Sequence, residues 1–84
     1  EHVHVNVNAS VSHECVVGDF TTISPQAAVC GRAVVGAGVF LGAGSIVVDD
    51  AHVPTDSVVG AGSVVLPGLM EAGTYSGAPA RRHP

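Results

Sequence analysis

The residues of this 84-residue chain best suited to chemistry lie together at His13-Glu14-Cys15. A neutral imidazole is a fit general base near physiological pH, and an adjacent carboxylate can orient it and raise its basicity. A lone histidine is more often a solvated polar corner, so the case depends on what surrounds it. Between residues 5 and 70 there is one other histidine, His52, beside Asp49 and Asp50, and no glutamate except Glu14. His52 reads as lining a corner and makes the weaker case for a site. His2 and His4 would point the same way on a strand, as a metal pair or, more simply, as an exposed strand face. Gly36-Ala37-Gly38 and Gly60-Ala61-Gly62 invite a phosphate-loop reading, but no helix-forming segment follows either one.

What must position these residues is a repeat of six. Val5, Val11, Val17, Ile23, Val29, Val35, Leu41, Val47, Val53, Val59 and Val65 are all aliphatic, without a slip in register. Four residues after each comes a second set: Ala9, Cys15, Thr21, Ala27, Ala33, Val39, Ser45, Ala51, Ser57, Ser63 and Leu69. All but Leu69 are small or β-branched. A helix would bury positions three and four apart, which this spacing does not do. Gaps of four and then two both keep side chains on one face of a strand. No hairpin-sized loop interrupts the series, so the chain must bend at a fixed period, as a solenoid of short parallel strands does. Glycine follows the aliphatic residue at Gly18, Gly36, Gly42 and Gly60, and recurs two residues later at Gly38, Gly44 and Gly62, where corners belong. In this register His13 is outward-pointing or at a corner.

The hexads Val35-Gly36-Ala37-Gly38-Val39-Phe40 and Val59-Gly60-Ala61-Gly62-Ser63-Val64 resemble those of the hexapeptide-repeat acyltransferases, and the resemblance covers residues 5 to about 70. It implies an all-β, left-handed parallel β-helix with three hexads per coil, assembled as a homotrimer with active sites between subunits. On an eighteen-residue coil Gly31 would lie one coil above His13, leaving an open slot beside the imidazole. Cys15 and Cys30 would not stack, which points to two buried free thiols and a reducing cytoplasm.

A finer resemblance runs through Asn6-Val7-Asn8-Ala9-Ser10-Val11-Ser12-His13-Glu14-Cys15-Val16-Val17-Gly18-Asp19-Phe20. This stretch is similar to the catalytic segment of the sialic acid O-acetyltransferase-like subfamily, which includes N-acetyltransferases of nucleotide-linked 4-amino sugars. Ile23-Ser24-Pro25, Gly31, Phe40-Leu41-Gly42 and Gly77-Ala78-Pro79-Ala80-Arg81 continue the match. The resemblance implies His13 as catalytic base and Glu14 as the residue that tunes it. Relatives often carry a second histidine nine residues on, where this chain has Thr22, whose hydroxyl can donate to a carbonyl but cannot act as an acid or second base. Coenzyme A contacts, largely from backbone groups, would fall at Gly31, Ala43 and Ala61. Arg81 and Arg82 would lie near the coenzyme's adenine and phosphates, or simply solvate the tail.

The activity so implied is transfer of acetyl from acetyl-CoA to an amino or hydroxyl group of a sugar, a nucleotide-linked 4-amino sugar preferred, with no metal. A sialic acid-type O-acetyltransferase and a non-catalytic β-helical assembly module are the alternatives. A zinc hydratase of the γ-carbonic-anhydrase type is disfavoured, since it gathers three histidines and the repeat offers two.

Composition sets the remaining bounds. A net charge of −4, with three arginines and no lysine, excludes the basic stripe of a nucleic-acid surface. No apolar run approaches a membrane span. Aromatic residues make up 4% of the chain, so aliphatic ladders must hold the core. We expect one β-helix domain over 1–70 and a C-terminal tail over 71–84. The strand-like start at Glu1-His2-Val3-His4 leads us to expect a piece of a larger chain, and the resemblance implies a preceding α/β sugar-binding domain. Both coil ends expose strand edges and need cover.

Overall fold

A computed structural model describes residues 3–68 and 71–83. Leu69 and His2 lie outside the described residues, and with them the last inner position of the repeat and the pairing of His2 with His4. The chain forms β1 (His4–Val5), β2 (Ser10–Val11), β3 (Val16–Val17), β4 (Thr22–Ile23), β5 (Ala28–Val29) and β6 (Val34–Val35). It continues with β7 (Phe40–Leu41), β8 (Ile46–Val47), β9 (His52–Val53), β10 (Val58–Val59) and β11 (Val64–Val65). Two more strands follow, β12 (Thr74–Ser76) and β13 (Arg81–Arg82). Each hexad thus gives one two-residue strand, made of the ladder aliphatic and the residue before it.

The strands stack into three faces of a prism. The first face has the order β1-β4-β7-β10-β12-β13, the second β11-β8-β5-β2 and the third β3-β6-β9. Within the helix every pairing is parallel with partners eighteen positions apart, as in His4 with Thr22, Ser10 with Ala28 and Val16 with Val34. The architecture is the expected left-handed parallel β-helix, about four turns long.

Two glycine roles separate in the structure. A Cβ on Gly36 would stand 2.5 Å from the Thr55 nitrogen, and one on Gly42 would stand 2.6 Å from the Ala61 nitrogen. Glycine after the ladder residue, at Gly18, Gly36 and Gly42, therefore lets the next coil's backbone lie against it. Two residues later the corner itself requires positive φ, met by Gly38, Gly44 and Gly62 but also by Asn8, Glu14, Phe20, Gln26, Arg32, Asp50 and Asp56. A left-handed residue with a side chain costs roughly 1–2 kcal/mol. The fold sustains that cost at seven corners because stacking fixes each one.

Ladder residues from Ile23 to Val65 are buried, and so are the inner small residues from Thr21 to Ser63. The first coil is different: Val5 is 49% exposed and Val11 41%, with a neighbouring coil among the described residues on one side only. At the other end the register changes. Strand β12 pairs in parallel with β10, but Val58 meets Thr74 and Val59 meets Tyr75, two residues short of a full coil. Tyr75 takes the ladder position, buried, its hydroxyl donating to the Glu71 carbonyl at 2.6 Å. The tail expected over 71–84 thus holds two strands, with β13 turned back antiparallel on β12. Inner serines serve this change of register. Ser57 Oγ accepts from the Gly73 N–H at 3.2 Å and Ser63 Oγ from the Gly77 N–H at 3.1 Å.

Gly36→Ala should destabilise the chain by about 1–3 kcal/mol through overpacking. Gly31→Ala, whose Cβ would meet a single atom at 3.8 Å, should stay within roughly 0.5 kcal/mol of the parent. Urea unfolding of the two variants checks the difference.

Candidate active site

His13 and Glu14 form the first turn of the corner between the second and third faces, between β2 and β3. One coil on, the same corner is Gly31-Arg32; two coils on it is Asp49-Asp50; the next is Pro67-Gly68. The register therefore builds two columns, His13–Gly31–Asp49 and Glu14–Arg32–Asp50. Both His13 and Glu14 are exposed. Glu14 has φ of 69°, but every corner holds such a residue, so its conformation belongs to the repeat and carries no functional signal.

The second column is closed by an ion pair. Arg32 Nε donates to Asp50 Oδ1 at 2.9 Å and its terminal nitrogen to Asp50 Oδ2 at 3.1 Å, a fork on a carboxylate. The pair holds Asp50 below the usual carboxylate range and raises Arg32 further above neutrality. The first column is open. A Cβ on Gly31 would find only Asp49 Oδ1 within 4 Å, so the column has open space at Gly31 with a carboxylate above it.

The other candidates lie elsewhere on the prism. Thr22 sits on β4, half-buried on the first face, opposite the His13 corner. Ala43 and Ala61 stack at the corner between the first and second faces, joined by the Gly62 N–H donating to the Ala43 carbonyl at 2.9 Å. Gly31 is not in that row but beside His13. One protomer thus keeps His13, Glu14 and Gly31 in one group at one corner and Ala43 and Ala61 in another at a different corner, with Thr22 on the first face.

Several details correct or extend the sequence reading. His52 is not at a corner: it lies on β9, outward on the flat third face, in register with Val34. The thiols are free, as expected, but half-buried instead of buried, and Cys15 Sγ donates to the Ser12 carbonyl at 2.7 Å. His4 lies one coil before Thr22 on the same face, a neighbour that the eighteen-residue register reveals. Arg82 donates to the Ala72 carbonyl at 3.2 Å and approaches Glu71 at 3.6 Å, so it ties the end cap. Ser76 and His83 share a hydrogen bond across the terminal strands. Among the described residues, no group of three or more His, Cys, Asp or Glu side chains gathers as metal ligands.

No family model matches the chain. It does superpose on solved acyltransferases. A serine acetyltransferase in complex with CoA is 27% identical, with TM-score 0.85 over 94% of this chain and 36% of that one. The serine acetyltransferase of Brucella abortus strain S19 is 28% identical, with TM-score 0.85 and the same coverage. AntD, an N-acyltransferase from Bacillus cereus solved with dTDP-4-amino-4,6-dideoxyglucose and Coenzyme A, is 19% identical, with TM-score 0.90 over 99% of this chain and 60% of that one. The chain therefore spans about a third of the length of the serine acetyltransferases it matches. These neighbours share its β-helix and use coenzyme A.

Because the Arg32 fork lowers the Asp50 pKa in the folded chain, its contribution to stability is present above the ordinary value of 3.8 and fades as the pH falls through the depressed one. The melting difference between the parent and Asp50→Asn should be small at pH 7, since both side chains are more than half exposed. It should vanish on acidification below that range, which a pair of thermal scans would show.

Proposed function

We propose that the chain is the β-helical part of an acetyltransferase that moves the acetyl group of acetyl-CoA to an amino or hydroxyl group of a sugar, a nucleotide-linked 4-amino sugar being the preferred acceptor. The observation that carries this reading is the superposition, at TM-score 0.90 over 99% of the chain, on an N-acyltransferase holding coenzyme A and such a sugar nucleotide. The imidazole of His13, exposed and without a hydrogen bond among the described residues, supplies the chemistry that reaction needs.

In this reading His13 is the general base. It removes the acceptor's proton as the nucleophile attacks the thioester carbon, then returns a proton to the departing thiolate. Glu14, next in the chain, is the residue assigned to tune that imidazole. The oxyanion takes a hydrogen bond from a backbone N–H or from the Thr22 hydroxyl. Backbone groups at Gly31, Ala43 and Ala61 contact the coenzyme, which tolerates alanine because no side chain is used.

The separation of the two groups on one protomer supports a site built between copies. A coenzyme lying along the Ala43–Ala61 corner of one copy meets His13 only if a neighbouring copy presents its own second corner there. Homotrimeric assembly, with one site at each junction, satisfies this. Phe40 and Val58, stacked and exposed on the first face, and Ile46, exposed on the second, are apolar surface such contacts would cover. No helix among the described residues is long and apolar enough to cross a membrane, and we place the enzyme in the cytoplasm, where its free thiols persist.

A second acceptor has one observation in its favour. The serine acetyltransferases are more similar in sequence, at 27% and 28%, than the sugar enzyme at 19%. Acetyl transfer to the serine hydroxyl is therefore the reading to test beside the amino sugar.

His13→Ala should lower acetyl transfer by roughly 10²–10⁴-fold and leave acetyl-CoA affinity within about twofold. Transfer assays with both acceptors, and calorimetric titration of acetyl-CoA, read the two quantities. Near-normal turnover in the variant would reject the assignment.

A further inference from the structure

We infer that Asp49 is a specificity-determining residue that, facing His13 across the gap at Gly31, receives the acceptor's amino group, so that the site selects an amine over a hydroxyl. The inference rests on the acetyltransferase reading above and deepens it. Asp49 occupies the same column as His13, two coils on, and between them stands a residue with no side chain. With strand spacing of about 4.8 Å, the two backbones are roughly 10 Å apart along the axis. The Asp49 carboxylate reaches over Gly31, 3.8 Å from where a Cβ would be.

The charges around it leave this carboxylate available. Asp50 is engaged by both arms of the Arg32 guanidinium, and His52 acts on Asp50 from the neighbouring strand. Asp49 feels Arg32 only at longer range and makes no hydrogen bond among the described residues. Glu14, the remaining charge on this corner, stands in the other column.

A slot with an imidazole nitrogen at one end and a carboxylate at the other presents two acceptors and no donor. A hydroxyl has one proton and can satisfy only one of them. A neutral primary amine has two and can satisfy both, donating one N–H to His13 and another to Asp49 while keeping its lone pair. The second hydrogen bond holds the nitrogen so that its lone pair faces the thioester. The C–N bond then forms as the carbonyl electrons move to oxygen. His13 takes one N–H proton, the C–S bond breaks as the carbonyl reforms, and the thiolate takes the proton from His13. The products are the amide and free coenzyme A thiol.

The test uses the whole chain, its Asp49→Asn variant and, as a control at the same column, Gly31→Ala. Calorimetry measures binding of the dTDP-linked 4-amino sugar and of its 4-hydroxy counterpart to each, with acetyl-CoA titrated separately. Asp49→Asn keeps the shape and loses the charge, and should cost about tenfold or more in affinity for the amine while changing the hydroxyl ligand less than twofold. Gly31→Ala, by narrowing the slot, should weaken both ligands. Equal effects of Asp49→Asn on the two ligands, no effect on either, or no preference for the amine in the parent chain would each overturn the assignment. Failure of acetyl-CoA to bind tells against the acetyltransferase reading instead, and the amine comparison still decides Asp49.

Discussion

Parallel pairing at an exact offset of eighteen residues is the constraint from which the rest of this structure follows. Because each coil lies in register on the last, His4 stands below Thr22, Val16 below Val34, and His13 in one column with Gly31 and Asp49. The offset is enforced twice. Aliphatic ladders bury one side chain per strand in a narrow interior, and a slip of one residue would turn every ladder residue outward. Glycines such as Gly36 and Gly42 let the backbones touch where a methyl group could not fit. A site on such a scaffold is therefore written in steps of eighteen along the sequence, not in local motifs.

The two ends of the helix show what the register does and does not supply. Val5 and Val11 belong to the same ladders as Ile23 and Val29, yet they are half-exposed because a coil is buried only by neighbours on both sides. At the far end the chain does not leave the core open. It shortens the last coil by two residues, sets Tyr75 in the ladder and folds β13 back over it. The inner serines make that departure possible: Ser57 and Ser63 present oxygens to backbone N–H groups that no longer find a strand partner. Ser45, at an inner position of the same kind, has its hydroxyl buried without a partner among the described residues.

Much of this was legible before any coordinates, and the reasons are specific. The hexad ladder, with its small inner positions and glycines, gives the strands and corners, while three faces per coil came from the resemblance to the hexapeptide-repeat acyltransferases. His13 reads as outward or at a corner from its place two residues after Val11. By the same rule His52, immediately before Val53, belongs on a flat face and not at a corner. The shortened last coil was not legible, since no hexad marks Tyr75 and its pairing depends on buried serine hydroxyls. Nor was Asp49, thirty-six positions from His13, whose relevance appears only when an intervening glycine leaves the column open.

The functional account turns on one geometric requirement: the corner bearing His13 and the corner bearing Ala43 and Ala61 must belong to different copies for a single coenzyme to touch both. Determining the structure of the chain with acetyl-CoA bound tests this most directly. The account predicts the coenzyme along Ala43 and Ala61 of one copy, with its thioester carbon at an attack distance of about 3–3.5 Å from an acceptor atom held by the neighbour's His13. A coenzyme seated on one copy alone, with its acetyl group remote from every His13, would contradict it.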